Sequence, residues 1–244
     1  MWKLAHLDYI TEEVFEFEEF PADFGKITLF FISDIHRRTV SPELIEKVKK
    51  KADLVIIGGD LAEKGVPISR IETNIKTIKE AGPVYFVWGN NDYEIDYHML
   101  DAILHDNRVK ILDNTSVSFE SGNGEKLHLL GVDDLNQKRD RLDLALQDSG
   151  QGFKILVSHD PRISHKIKAE DRISLILSGH THGGQIRLGP WGLYKPGGLT
   201  RRSNTALFIS NGYGTTAIPL RLGVPAQTHL ITLQSGHAYK ADNG

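Results

Sequence analysis

Residues 27–36 read ITLFFISDIH, residues 54–60 read LVIIGGD and residues 84–92 read VYFVWGNND. Each stretch opens as a short apolar run and closes in polar residues, the pattern of a strand buried on both faces whose C-terminal turn reaches a surface. Strands are predicted at 27–32, 54–57 and 84–87. Between the first two, Ser41 and Pro42 form an N-cap and first-turn pair ahead of Leu44, Ile45 and Val48. Between the second and third, Ile68, Ile71, Ile75 and Ile78 recur at helical spacing, and Gly82-Pro83 stops the helix. A β-α-β-α-β order of this kind implies a parallel sheet with right-handed crossovers.

Downstream of Val109 the pattern changes to strands joined by turns, with a hairpin expected at 121–124 and a helical stretch carrying Leu142, Ala145 and Leu146. Further apolar runs fall at 153–157, 173–177 and 207–209, and the first two lead into histidine-containing turns. The reading is a mixed α/β fold in one domain spanning 1–244, an economical division for a chain of 244 residues. A charge of -3 gives no strong attraction to nucleic acid or anionic membrane. The absence of cysteine leaves only oxygen and imidazole nitrogen as metal ligands. The first twenty residues, MWKLAHLDYITEEVFEFEEF, scatter acids through any apolar stretch, and the longest apolar runs elsewhere are strand-sized. A cytoplasmic protein without a membrane span is expected.

Ligands of open α/β sheets bind beyond the carboxyl ends of strands. Those ends carry Ser33-Asp34-Ile35-His36, Gly58-Gly59-Asp60, Gly89-Asn90-Asn91-Asp92, Ser158-His159-Asp160 and Gly179-His180-Thr181-His182-Gly183-Gly184-Gln185. One aspartate after a strand is ordinarily a turn former or helix cap. Asp, His, Asp, Asn and three further His on one set of strand ends are a donor mixture suited to Mn, Fe or Zn. Alternation along an extended segment predicts that Asp34 and His36 face one ion together while Ile35 packs away, and that His180 and His182 do the same.

In order and spacing these motifs resemble the calcineurin-like metallophosphoesterases, whose pattern is Asp-x-His, Gly-Asp, Gly-Asn-His-Asp/Glu, a His, then Gly-His-x-His. The resemblance runs from about Ile27 to Leu233. It implies a four-layer αββα sandwich with mixed sheets and two divalent ions at its edge. Asp34, His36 and His182 would bind one ion, Asn90, His159 and His180 the other, and Asp60 would bridge them. Asp60, Asn90, Asp92 and His180 would form the catalytic set, with Asp92 orienting a ligating histidine or, as the plainer alternative, capping the helix that carries Leu100. The extended Gly-His-Thr-His-Gly-Gly-Gln is similar to a bacterial branch that includes phosphodiesterases and hydrolases of lipid-linked sugar nucleotides. The reaction implied is hydrolysis of a phosphate ester, a diester or pyrophosphate, by a hydroxide shared between two cations about 3.5–4 Å apart.

One position departs from the family pattern. Asn91 replaces the histidine that helps protonate the leaving oxygen, and asparagine is no general acid; His98 is the nearest substitute in sequence. Arg37 and Arg38 follow the first motif and are candidates to grip a phosphate. With Asn91 and Tyr213 they make up the expected substrate-binding residues; Tyr213 lies in Asn211-Gly212-Tyr213-Gly214-Thr215-Thr216, which with Arg221 resembles the loop that closes the site in the bacterial branch, and it would stack on substrate or, as the plainer alternative, be a turn aromatic. The other histidines, His6, His98, His105, His128, His165, His229 and His237, lack metal spacing and are expected at the surface or in caps. Two alternatives remain, a nuclease and a metal-bearing interaction scaffold. The first is opposed by the charge and by the scarcity of Lys/Arg clusters beyond Lys49–Lys51, the second by the completeness of the ligand set.

Overall fold

A computed structural model of the chain describes residues 1–202 and 204–236, so His237 lies outside the described residues. In chain order the strands are β1 (Ile10–Phe17), β2 (Lys26–Ile32), β3 (Leu54–Ile57), β4 (Val84–Phe86), β5 (Lys110–Ile111), β6 (Thr115–Glu120), β7 (Lys126–Gly131), β8 (Phe153–Val157), β9 (Leu175–Ser178), β10 (Arg187–Leu188), β11 (Trp191–Gly192), β12 (Gly198–Arg202), β13 (Thr205–Ile209) and β14 (Thr228–Ser235). The helices are α1 (Trp2–Ala5), α2 (Pro42–Val48), α3 (Ile68–Lys79), α4 (Tyr97–Asp106) and α5 (Leu142–Asp148). Ser41 caps α2, its hydroxyl accepting the amide of Leu44 at 3.3 Å.

Strand alternation explains the layering. In β2, Leu29 and Phe31 point to one side and Phe30 and Ile32 to the other, and all four are buried. Phe30 and Ile32 join the cluster formed with α2, α3 and α4, while Leu29 and Phe31 join a second cluster that includes Leu129, Ile155, Val157, Leu177 and Phe208. A third cluster covers the far side of the second sheet, where Leu130, Leu156 and Ile176 meet Ala145 of α5. The result is helices, sheet, sheet, helices. Each fully buried Leu, Ile or Phe in these clusters contributes on the order of 1.5–3 kcal/mol.

The first sheet runs β1-β14-β2-β3-β4-β5 and the second β12-β13-β9-β8-β7-β6. β2, β3, β4 and β5 are parallel, as are β7, β8, β9 and β13, so the carboxyl ends of β2, β3 and β4 in one sheet and of β8, β9 and β13 in the other supply the turns of the site. β6 and β7 form the expected hairpin across 121–124. Sequence patterning predicts no strand at β1, which pairs in parallel with β14 along the edge of the first sheet.

Candidate metal centre

The turns after β2, β3 and β9 are not extended. Asp34, His36, Asp60, His180 and His182 have φ of 55°, 53°, 53°, 71° and 49°, all in the left-handed region. Alternation along an extended segment therefore does not explain why Asp34 and His36 converge; left-handed backbone at each ligand does. Such a conformation costs a non-glycine residue on the order of 1–3 kcal/mol and persists where the surroundings enforce it, commonly at functional sites. Glycines let the turns crowd together. A Cβ on Gly89 would lie 2.2 Å from Asp60 Oδ1, and one on Gly179 would lie 2.4 Å from Asp34 Oδ2.

Side chains from both sheets meet here. Asp34, His36 and His182 place ligand atoms within 4.8 Å of one another, and so do Asp34, Asp60 and His159. Asp60 Oδ2 stands 3.1 Å from His159 Nε2 and 3.7 Å from His36 Nε2, between the two groups. His36 Nε2 faces His182 Nε2 at 3.1 Å, and His180 Nδ1 faces His159 Nε2 at 3.2 Å. His180 also donates its backbone N–H to Asp34 Oδ1 at 3.0 Å. Asp34, His36, Asp60, His159 and His182 are buried, while Asn90, Asn91, His180 and Thr181 are half-buried and form the open side of the pocket. A cavity of about 1010 Å³ opens at the other end of the sandwich, lined by Lys126, Phe153 and Thr205 near the starts of β7, β8 and β13, and it contains none of these ligands.

The donor set fits divalent cations. Asn90 Oδ1 is buried without a partner among the described residues, while Asn90 Nδ2 donates to Asn91 Oδ1 at 2.7 Å. The side chain of Asn91 thus holds the Asn90 carboxamide with its carbonyl oxygen unsatisfied, and an unsatisfied buried acceptor is costly unless something positive meets it. His159 Nδ1 donates to the Gly58 carbonyl at 2.9 Å, leaving Nε2 to the pocket. Burial opposes ionisation of His159, yet Asp60 and Asp34 push its pKa up to about 10. Burial likewise works against the Asp60 carboxylate, but His159 and His36 hold it at about 2. A pocket that retains its carboxylates and recruits an imidazolium favours positive charge at its centre. His182 responds oppositely, burial taking it down to about 3, so its imidazole stays neutral as ligation requires.

Other predicted residues fall in different surroundings. The Asp92 carboxylate is given over to backbone amides rather than to a histidine ring or a helix cap: it accepts those of Asp60 and Gly89 at 2.9 Å each and of Ala62 at 3.0 Å, tying the turn after β3 to the turn after β4. The cap of α4 is Asp96, which accepts the amide of Met99. Arg37 is exposed at the rim and pairs with Glu63, also donating to the Lys64 carbonyl at 3.0 Å. Arg38 is committed elsewhere, donating to Asp8 Oδ1 and to the Tyr213 carbonyl, both at 2.7 Å, with its guanidinium 3.6 Å above the Tyr213 ring. Tyr213 itself is fully buried and donates to Asp8 at 2.7 Å, so its ring offers substrate no face on which to stack. His98 is exposed on α4 against Tyr97. His128 and His229, expected at the surface, are buried: His128 bonds Ser118 and the Gln151 carbonyl, His229 bonds Thr11 and Ser210.

Two residues at the site, Glu63 and Asp134, lie outside the motifs picked out from sequence. Glu63 Oε2 lies 3.0 Å from His36 Nδ1, a charge contact not aligned as a hydrogen bond. Its signal is its place three residues after Asp60. Asp134 follows β7, whose neighbour β8 delivers His159; its Oδ2 accepts the Gln137 amide at 2.9 Å and its Oδ1 is buried without a partner among the described residues. The pair Asp133-Asp134 after an apolar run is the available cue. Arg221, fully buried, donates to the carbonyls of Asn211 and Gly214 at 2.6 and 2.7 Å and so fastens the loop behind His182.

Comparisons with known proteins show the family and the fold. The family model described as calcineurin-like phosphoesterase matches residues 27–184. The chain is 50% identical over 210 residues to the Bacillus subtilis uncharacterized protein YpbG, covering 85% of this chain and 81% of that one. It is 29% identical over 218 residues to the uncharacterized metallophosphoesterase YkoQ of the same organism, covering 81% and 80%. Among solved structures, a 5'-nucleotidase precursor from Thermus thermophilus superposes with a TM-score of 0.56 at 13% identity, covering 86% of this chain and 54% of that chain. This chain spans about half the length of that solved protein, and the likeness speaks to the fold alone.

Proposed function

The chain belongs to the calcineurin-like phosphoesterase family, and from that premise we propose that it hydrolyses phosphate diesters or pyrophosphates with two divalent cations. The observation that carries this reading is the convergence of Asp34, His36, Asp60, His159 and His182 around two overlapping ligand groups, with the unpartnered Asn90 Oδ1 at the open side. When bound, a cation pair supplies Lewis acidity toward phosphate oxygens and makes a shared water acidic enough to attack at neutral pH. Asp34, His36 and His182 would hold one ion, Asn90, His159 and His180 the other, with Asp60 between them. The same donors suit Mn, Fe or Zn.

The chain's own residues set the orientation. The Asn91 amide N–H donates to Asp60 Oδ1 at 2.8 Å and, with His159, fixes the carboxylate between the two groups. His180, half-buried as Asn90 is, would lie toward an entering phosphate, and Arg37 offers its guanidinium at the rim. Asn91 has no proton to give the departing oxygen, so the leaving group must depart as an anion or take its proton from water. Lack of general acid catalysis typically costs about 10²–10⁴-fold where the leaving group needs a proton, so aryl diesters are expected to turn over faster than alkyl diesters.

The test is to strip the protein with chelator, restore Mn, Fe, Zn or Mg separately, and assay aryl monoesters, aryl diesters, alkyl diesters and nucleotides. Metal-dependent cleavage of aryl diesters is the expected outcome, and Asp60→Ala should abolish it together with metal retention. Absence of turnover with every metal, or full activity in the Asp60 variant, contradicts the reading.

A further inference from the structure

Immediately after the Gly-His-Thr-His-Gly-Gly-Gln turn, β10 and β11 form a short antiparallel hairpin. Its large apolar residues face solvent: Leu188 is 70% exposed, Trp191 79% and Leu193 83%, with Tyr194 at 45%. The hairpin does not owe this exposure to a loose backbone. The buried Arg187 guanidinium donates to the carbonyls of Pro190 and Tyr194, the Arg187 amide donates to the Leu222 carbonyl at 2.8 Å, and the backbone of Leu193 and Tyr194 packs on Gly184, where any Cβ would lie 3.0 Å from the Tyr194 nitrogen. The polar interactions point inward and the apolar tips point outward. Four such side chains on one fixed projection are unusual for a surface that meets only water.

The exposed apolar area extends beyond the hairpin. Ile186 bridges Leu222, and the Arg221 amide donates to the Met1 carbonyl at 3.3 Å, bringing Met1 and Trp2, both exposed, alongside the base of the hairpin. The charge of this part of the chain is also one-sided. Between Asp171 and Asp242 there is no Asp or Glu, whereas Arg172, Arg187, Lys195, Arg201, Arg202 and Arg221 all fall there, Arg187 and Arg221 being buried and Arg172 lying at the other end of the sandwich against Gln151. Lys195 is exposed directly after the hairpin, and Arg201 is exposed farther along β12 with its guanidinium 5.5 Å from the Phe17 ring. The net charge of -3 averages over this asymmetry, with the excess of acid lying earlier in the chain.

We propose that the 187–194 hairpin docks the protein on the surface of an anionic lipid bilayer, with Leu188, Trp191 and Leu193 in the interfacial region and Lys195 and Arg201 against lipid phosphates. Trp and Tyr settle at headgroup depth, aliphatic side chains enter the acyl boundary, and juxtaposed Lys and Arg are drawn to anionic headgroups. Leucines have no π-face to stack on bases, which sets this surface apart from a platform for single-stranded nucleic acid. No helix among the described residues is long and apolar enough to cross a membrane. The proposal stands on the hairpin and the charge distribution and does not depend on the phosphoesterase reading.

The full chain is mixed with vesicles of phosphatidylcholine alone and of phosphatidylcholine with phosphatidylglycerol, and flotation is measured. Co-flotation with the anionic vesicles that weakens with salt is expected, together with a blue shift of tryptophan emission that Trp191→Phe reduces. The double variant Trp191→Ser/Leu193→Ser should lower vesicle affinity by at least about tenfold while the unfolding midpoint stays at the parental value. Lys195→Ser/Arg201→Ser should remove the preference for the anionic vesicles. Failure to float, flotation unaffected by the double variant, self-association abolished by that variant without vesicle binding, or tighter binding to single-stranded RNA than to vesicles would each overturn the proposal.

Discussion

Glu63 and Gly58 perform comparable tasks for two different histidines. The Gly58 carbonyl accepts from His159 Nδ1, and Glu63 Oε2 stands 3.0 Å from His36 Nδ1 as a charge contact, so in both rings the far nitrogen faces an oxygen while Nε2 turns to the pocket. Glu63 in turn is paired with Arg37 at the rim, and the proximity of His36 outweighs burial in holding its carboxyl below the ordinary range. Partners of this kind orient a ligating imidazole and raise its basicity, and their loss typically lowers metal affinity about 10–100-fold. Glu63→Gln keeps the shape and removes the charge. Metal affinity of that variant, measured by competition with a chromogenic chelator, is expected to fall within that range with the fold intact; parental affinity would mean that Glu63 only packs against the ring.

At the scale of elements, the site depends on how closely the turns approach one another. Gly89, after β4, leaves no room for a Cβ, since one would sit 2.2 Å from Asp60 Oδ1 and 2.3 Å from the Asp60 nitrogen. Backbone cannot retreat as a flexible side chain would, so Gly89→Ala must push Asp60 or the β4 turn out of place. Loss of bound metal is expected, read as metal-to-protein stoichiometry after reconstitution, with a lesser change in secondary structure; retention of two equivalents would show that the turns have slack. The strand ends themselves are legible in the sequence because a buried strand followed by a polar turn is a local pattern: 54–57 matches β3, and 27–32 differs from β2 by one residue. β1 is not legible. ITEEVFEF interrupts its alternation with acids, its Phe15 and Phe17 alone reach the core between the sheets, and its partner β14 lies more than 200 residues away. The ligands are legible as a set of residue types, but their left-handed backbone is not, since that is imposed by packing between turns. Tyr213 and Arg38 escape a local reading for the same reason: their partner Asp8 belongs to the N-terminal segment, which no local pattern connects to the loop after β13.

Across the whole molecule, the two sheets are joined by apolar side chains and, away from the metal centre, by the buried His229. His229 projects from β14 of the first sheet, bonds Thr11 and Ser210 through its two ring nitrogens at 2.8 Å each, and meets the Phe208 ring of the second sheet edge-on at a centroid distance of 4.7 Å. Burial takes its pKa from the ordinary 6.5 down to about 3, so the folded protein holds it neutral. Below pH 6.5 the unfolded chain takes up a proton at this position that the folded chain refuses until about pH 3. Protons therefore favour unfolding in that window. The contribution is fully present above it and is lost as pH falls, at a limiting slope of about 1.4 kcal/mol per pH unit. His229→Gln removes the titrating group and keeps a polar side chain between Thr11 and Ser210. Denaturant unfolding of the two proteins from neutral pH to about pH 5 should show the parent losing on the order of 2 kcal/mol more than the variant, with histidines elsewhere, those of the metal centre included, contributing equally to both. Parallel stability curves would mean that His229 titrates alike in the folded and unfolded chains, and the buried bridge between the sheets would then have to admit a charge.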